Sequence, residues 1–545
     1  MQLGKRIRFW FLGLLWVAVI IAMSVRLVYL AAYQRTFLLG QSKARVERRM
    51  SLTAKRGRIL DRNGRVLAMS KPVNDVWTSP RLLLSDDRAI GSVAKVLNVS
   101  SDALRKRLHE NQHRDFYYLS RNIDDDVGAC IRDLKLPYVN LTQSFARFYP
   151  GGKACAQTVG IVNIDGDGLE GLEYLYDKTL SGESGFARYL INPFGETIES
   201  IQRKEPVAGE DIQLSIDRSI QYIAYEALKD GVKATGAKSA LALVLDVRDG
   251  GIIAATGYPS YNPEVKLAGS NTRPLRHKVF TDLYEPGSTF KPIALAYILE
   301  NSRFSKQSKI QTHPGELKIG TNIVKDVRNY GLISLDDVIV RSSNVAMSKL
   351  MLASSRDFIA WLKQRFLIGQ KDVRVFPGEP MSAIVDKPNV SDFELATLSF
   401  GYGLSMTPLK LGSLYLTLAN DGLYMPTYLV KSMRQSNGQQ RVMRASTARE
   451  INQMLHKTTI GYGTARRARV SGINVAGKTG TTHVLENGAY QEDRYVASFA
   501  GFFPYESPKY VVVVIVEEPD KSFHFGGQAA APIFSKIVFN SQFIS

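Results

Sequence analysis

The sequence has only two cysteines, Cys130 and Cys155, in 545 residues. That excludes a disulfide scaffold and any metal site built on four thiolates. Its seven histidines are scattered and none stands in an HExxH pair, so neither a metal nor a cofactor is expected. Long apolar runs are scarce: Phe9–Val25 is free of charge for seventeen residues, and no other stretch comes near the length of a membrane span. Internal repeats and low-complexity tracts are absent. With 45% hydrophobic and 22% charged residues, wholesale disorder is excluded too. Acid is in deficit, at 51 Asp+Glu against 70 Lys+Arg, a net charge of +19. Such an excess invites a nucleic-acid reading. Its distribution argues otherwise: residues 1–56 carry +10, residues 57–205 are neutral, and residues 206–545 carry +9. More than half of the excess lies in the first tenth of the chain, as in a membrane-proximal basic segment. No nucleic-acid partner is expected.

What is present begins with an anchor. At 1.5 Å per residue, Phe9–Val25 spans about 25 Å, just short of the roughly 30 Å hydrocarbon core. Leu27–Tyr33 extends its apolar face while Arg26 reaches for the interface. The run is longer than a signal-peptide core, and no small-x-small cleavage site follows it. Lys5, Arg6 and Arg8 favour a cytoplasmic amino terminus. The remainder is then expected outside the cytoplasm, where Cys130 and Cys155 could be bonded or could remain two free thiols.

The length calls for two or three domains. Residues 36–55 are polar and basic, and a helix is expected there. Arg56–Ala68 (RGRILDRNGRVLA) reads as a hairpin turning at Asp61-Arg62-Asn63-Gly64. Residues 80–135 read as short charged helices, residues 181–215 alternate like strands, and Ser219–Lys229 opens an amphipathic helix. From about 236 a larger α/β unit is expected. Ser239–Val247 and Gly250–Gly257 form its first hairpin, helices fill 288–425, and strands follow at Arg494–Phe503 and Tyr510–Glu517. A last helix is expected near Ala530. Strands at both ends with helices between imply a central sheet covered by helices.

Three short motifs carry chemistry. Ser288-Thr289-Phe290-Lys291 follows a Pro286-Gly287 turn and opens a helix, which puts Lys291 one turn from Ser288 on the same face. An amine there can take the serine proton if desolvation or a second cation lowers its pKa, and free backbone N–H groups favour negative charge at the serine. A second copy, Ser92-Val93-Ala94-Lys95, reads as a solvated helix face. Ser342-Ser343-Asn344 lies between two helical stretches, where one residue can relay a proton and another can hold a carbonyl; taken alone it would be a helix cap. Lys478-Thr479-Gly480-Thr481 lies in a strand, with Lys478 and the two threonines forming a carboxylate-binding edge and Gly480 admitting an extended substrate backbone. No GxxxxGK[ST] frame makes it a phosphate loop. Glu170 and Glu173 in GLEGLEYLYD could pass for an acid–base pair, but acids at a helix start are more simply structural. Arg466, Arg467 and Arg469, just before the strand of Lys478, read as a solvated loop, with attraction of an anionic substrate as the alternative.

SxxK, then SxN 54 residues on, then KTG 136 residues further, is a far more specific pattern than any one part. With RGRILDRNG, RFYPGG, GLEGLEYLYD, SFAGFFP and FGGQAAAPIF around it, the chain resembles, essentially end to end, the class B penicillin-binding proteins. TDLYEPGSTFKP, VRSSNVAMSKL and SFGYGLSMTPLKL make it most similar to their septal, cell-division (FtsI-type) members. Gln157 departs from the histidine usual there.

The resemblance implies a multidomain α/β protein. A cytoplasmic tail and transmembrane anchor over 1–35 would precede an elongated, non-catalytic α+β pedestal of the dimerisation type over 36–205. A transpeptidase domain like the serine β-lactamases would fill 206–545. It further implies peptidoglycan cross-linking at the septum by a serine acyl-enzyme. Ser288 is the implied nucleophile, Lys291 its base, Ser342 a proton relay tuned by Lys478, and Asn344 a holder of the substrate amide. Thr479, Gly480 and Thr481 form the implied carboxylate and backbone-binding strand. Backbone N–H groups of Ser288 and Thr481 form the implied oxyanion hole. No ExxLN signature follows SxN, so slow deacylation of β-lactams is expected. Implied partners are stem peptides ending in D-Ala-D-Ala, β-lactams, a SEDS-family glycan polymerase with other divisome membrane proteins, and the bilayer.

Overall fold

The computed structural model describes residues 2–37, 47–191, 197–265, 276–369, 375–385, 387, 389–435, 438–486 and 489–542. The chain forms two compact units, each built from several stretches. Residues 1–55, 72–146 and 182–209 make the first, and residues 56–71, 147–181 and 210–545 make the second.

In the first unit, α1 (Gln2–Ala32) is one uninterrupted helix. Its apolar part, Phe9–Ala32, has 24 residues, about 36 Å at the helical rise, and is long and apolar enough to cross a membrane. The helix expected over 36–55 needs correction. Residues 38–46 lie outside the described residues, and Glu47–Leu52 is a strand, β1. It pairs antiparallel with β2 (Gly185–Ile191), which pairs with β3 (Thr197–Lys204). A partner strand far along the chain satisfies its backbone, and local periodicity carries no trace of such a partner. The expected charged helices over 80–135 include α2 (Asp87–Val96) and α3 (Ser101–Glu110), capped by Asp86 and Ser100. They bury Ile90, Val93, Leu104 and Leu108 against Val76 and Leu119. A strand the sequence pattern did not reveal, Tyr117–Ile123, pairs with the stretch Asn74–Thr78. Ser92 and Lys95 stand exposed on α2, so the second SxxK is a solvated face.

The second unit opens with the expected hairpin. Asp61 Oδ1 accepts the N–H groups of Asn63 and Arg65 at 2.8 Å each, and Gly64 takes φ +80° to close the turn. Helix α4 (Arg218–Thr235) is capped by Asp217. The central sheet consists of β4 (Ser239–Asp246), β5 (Ile252–Tyr258), and, after a small strand β6 (Asn322–Lys325) that lies elsewhere, β7 (Ala476–Glu486), β8 (Ala489–Phe503) and β9 (Tyr510–Glu517). Its order is β5-β4-β9-β8-β7 and every neighbouring pair is antiparallel, so β7 is an edge strand.

Both faces of the sheet are covered. Val511, Val513 and Ile515 face one core with Leu241, Leu243 and Leu245, while Val512, Val514 and Val516 face the other with Ala242 and Val244. Burial on both sides is why this strand reads as an unbroken apolar run rather than an alternating one. The first core is completed by α5 (Lys291–Asn301), α6 (Asn344–Leu352) and α7 (Pro408–Ala419). The second core lies under α4 and α8 (Gly526–Ser541). Helix α8 starts four residues before the expected Ala530. A Cβ on Gly526 would stand 2.3 Å from the Gly480 carbonyl, so this glycine brings the helix onto the sheet instead of breaking it.

Both cysteines are free. Cys130, in the first unit, is exposed. Cys155, in the second, is buried, and burial pushes its thiol up to about 12.

Candidate active site

The SxxK, SxN and KTG segments converge at the edge strand β7. Ser288 lies in a single 3₁₀ turn, Gly287–Phe290, that runs into α5. The turn is held from several sides. Gly287 has φ +52° and donates its N–H to Gly401 O at 3.1 Å. Thr289 Oγ1 donates to Pro286 O at 2.6 Å, and the buried Tyr415 hydroxyl donates to Thr289 O at 2.8 Å. Ser288 itself is half-buried at the front of this rigid turn.

Lys291 is fully buried. Its Nζ donates to Ser342 O at 2.6 Å, Ser342 Oγ at 3.1 Å and Asn344 Oδ1 at 2.7 Å. Burial drives its pKa well below the usual lysine range. The positive charge of Lys478 pushes the same way, and the Asp326 carboxylate opposes both. Ser342 and Asn344 come from the turn between the helix Leu335–Val340 and α6. Ser342 adopts φ +61°, uncommon for a residue with a side chain. The expected helix cap is real, but it is the middle residue: Ser343 Oγ accepts the Ala346 N–H.

Lys478 is also fully buried, and burial alone brings it down to about 7. Its Nζ donates to Thr479 O at 3.0 Å, on its own strand. Thr479 Oγ1 donates to Thr464 Oγ1 at 3.1 Å, so Thr464 joins the site with no sequence signal to mark it. Thr481 Oγ1 accepts the Gly526 N–H at 3.0 Å, which leaves its own proton for another acceptor. Gly480 packs closely within the chain. A Cβ there would meet Ser498 Oγ at 2.3 Å and both Pro286 O and Thr289 Cγ2 at 3.0 Å. This glycine therefore permits a close approach to the serine turn of its own chain.

Asp326, just after β6, is the other residue that no sequence motif marked. Its carboxylate accepts hydrogen bonds from Ser343, Asn344 and Val345. Glu173 is not catalytic in character. It is fully buried between Arg56 (Nε–Oε2 2.6 Å) and Arg147 (Nε–Oε1 2.7 Å), and Arg56 also reaches Asp177 at 2.7 Å. Glu170 stands at the start of the same short helix, its carboxyl raised by partial burial. Arg466, Arg467 and Arg469 are exposed. Gln157 lies buried beside Pro259, donating its Nε2 to that carbonyl at 3.4 Å, in the second unit but in none of the three motifs.

Comparison with known proteins agrees with this geometry. Residues 51–214 match the penicillin-binding protein dimerisation domain, and residues 240–538 match the penicillin-binding protein transpeptidase domain. The chain is 34% identical over 538 residues to the "Probable peptidoglycan D,D-transpeptidase PbpC" of Pseudomonas aeruginosa, covering 98% of this chain and 95% of that one. It is 32% identical over 537 residues to the peptidoglycan D,D-transpeptidase FtsI of Escherichia coli K12, covering 97% and 91%. A peptidoglycan synthetase from Bifidobacterium adolescentis, 23% identical, shares the fold with a TM-score of 0.71 over 91% of this chain and 97% of that one. A dimerisation domain followed by a transpeptidase domain, matched along nearly the whole length of these relatives, makes this chain a member of the class B penicillin-binding proteins.

Proposed function

We propose that this protein is the septal type of peptidoglycan D,D-transpeptidase, with an anchor over 1–35, a pedestal over 36–205 and a transpeptidase domain over 206–545. The observation that carries the catalytic reading is Lys291. It is a buried amine with depressed proton affinity, one turn from a half-exposed serine and bonded to Ser342 and Asn344. The septal assignment rests on the similarity to FtsI of Escherichia coli.

Ser288 attacks the carbonyl of the penultimate D-alanine of a stem peptide, and neutral Lys291 takes the serine proton. As an ammonium, Lys291 fills three acceptors. Once neutral it has a lone pair, and the Ser342 hydroxyl, 3.1 Å away, can turn from acceptor to donor. After Lys291 has taken the Ser288 proton, its ammonium donates to Ser342 Oγ while Ser342 passes its own proton to the departing D-alanine nitrogen, which makes Ser342 the relay. Asn344 holds the substrate amide, and Thr479 and Thr481 take the terminal carboxylate beside Lys478. The backbone N–H groups of Ser288 and Thr481 receive the oxyanion; one such donor is typically worth about 10²–10³ in rate. A second stem peptide then accepts the acyl group. β-Lactams acylate Ser288 in place of the stem peptide.

The chain would sit in the bacterial inner membrane with its amino terminus cytoplasmic and its catalytic domain outside. Its partner would be a SEDS-family glycan polymerase at the division site. Labelling with a fluorescent penicillin tests the chemistry. Ser288→Ala is expected to lose the covalent label while melting like the wild type, and persistent labelling would refute the assignment. Depletion tests the cellular role: filaments without septa support the septal reading, and rounded cells would replace it with an elongation role. A chain that is acylated but fails to cross-link lipid-linked substrate would be a receptor rather than an enzyme.

A further inference from the structure

All three oxygen atoms that Lys291 Nζ reaches belong to one turn, residues 342–344. The turn starts with Ser342 in the left-handed region, which L side chains rarely adopt. Its backbone leaves the preceding helix through only two bonds, Ser342 N–H to Ile339 O and Ser343 N–H to Val338 O. What fixes its far side is Asp326. One carboxylate oxygen accepts the N–H groups of Asn344 (2.5 Å) and Val345 (3.0 Å), and the other accepts Ser343 Oγ at 2.6 Å. The neighbouring Lys325 carbonyl accepts Asn344 Nδ2 at 3.2 Å. With its Nδ2 held there, the Asn344 amide has only Oδ1 to present to Lys291.

We propose that Asp326 is a positioning residue for acylation: its carboxylate locks the 342–344 turn in the arrangement that directs three oxygens onto Lys291 Nζ. The inference rests on the serine–lysine reading above. Asp326 touches no reacting atom and acts through the turn and through its charge. Few charges bear on Lys291. Lys478 on β7 repels its ammonium, and Asp326 beyond β6 favours it. On α5, Glu300 pairs with Arg444, and beside the turn Arg341 pairs with Asp337. On α6, Lys349 donates to Gln311 O. A helix cap alone would steady α6. A positioning residue must also set where the base titrates.

The test is the second-order rate of labelling by a fluorescent penicillin, measured across pH on the full chain in detergent. The base must be neutral to work, so the rate climbs with pH through the titration of Lys291. Asp326→Asn is expected to lower the plateau by about 10²-fold, the scale of a misplaced catalytic group, and to move the ascending limb to lower pH. Asp326→Glu should return the limb toward the wild type. Ser343→Ala, which removes one contact but no charge, should leave the limb in place. The midpoint is read within each sample, so partial unfolding changes the amplitude and not the position. An unshifted limb in Asp326→Asn, or a plateau within threefold of the wild type, overturns the proposal. A wild-type chain that takes no label at all would instead bring down the serine–lysine reading, and the proposal with it.

Discussion

Replacing Lys478 with methionine should make the protein more stable while destroying its chemistry. Lys478 is fully buried, and its Nζ donates to the Thr479 carbonyl at 3.0 Å and, at the longer distance of 3.5 Å, to Thr479 Oγ1. Burial lowers it from 10.5 to about 7. Between those two values the unfolded chain holds a proton that the folded chain gives up. The folded state therefore keeps its full stability above pH 10.5 and loses it as pH falls toward 7. At 1.36 kcal/mol per unit, the loss is about 1 kcal/mol at pH 10, about 3 at pH 8.5 and about 4 at pH 7, where the folded lysine is half protonated. Methionine fills similar space and has no charge to desolvate. Lys478→Met should recover these amounts, less about 1 kcal/mol for the lost hydrogen bond. Denaturant unfolding of both proteins in detergent, followed by intrinsic fluorescence, reads the difference, since Trp361 packs against Tyr297 in the core of the same unit. Penicillin labelling should fall by at least about 10²-fold in the same samples, as for the loss of one electrostatic catalytic group. A variant no more stable than the wild type at pH 7, or a gain that does not shrink toward pH 10, would refute the reasoning.

Gly480→Ala should slow labelling and lower stability by about 1–3 kcal/mol. The added methyl meets the Pro286 carbonyl, which cannot swing away as Ser498 Oγ can, so a wild-type labelling rate with unchanged melting would contradict the packing described. Glu173→Gln should destabilise the second unit by about 3–5 kcal/mol, because it leaves Arg56 and Arg147 buried without their shared carboxylate. Thermal unfolding of the penicillin-labelled chain would report that loss, and a Tm within a degree of the wild type would count against it.

Much of the catalytic unit was legible because its signals are local. A turn before an apolar run puts Ser288 at the head of α5, and an unbroken β-branched run marks β9 as a central strand. SxxK, SxN and KTG are spaced residues whose chemistry needs no knowledge of what packs around them. What was missed depends on contacts between distant segments. Asp326 is an ordinary acid after a short strand until the fold brings the start of α6 to it. Glu173 reads as a helix-start acid, and only the fold puts Arg56 and Arg147 on either side of it. The strand β1 lies in a basic stretch with no alternation, and β2 alone makes it a strand. That the glycine of the KTG motif packs against the serine turn is likewise visible only in the fold.

The unequal burial of the two thiols has a practical consequence. Cys155 is sealed in the core with its thiol pushed up to about 12, while Cys130 lies at the surface of the other unit. A maleimide dye therefore has one accessible cysteine to choose, and a fluorescent penicillin has one serine. The natural sequence thus offers two orthogonal covalent handles, one in each unit. Energy transfer between them could follow the protein through acylation, or against a membrane partner, without changing a residue.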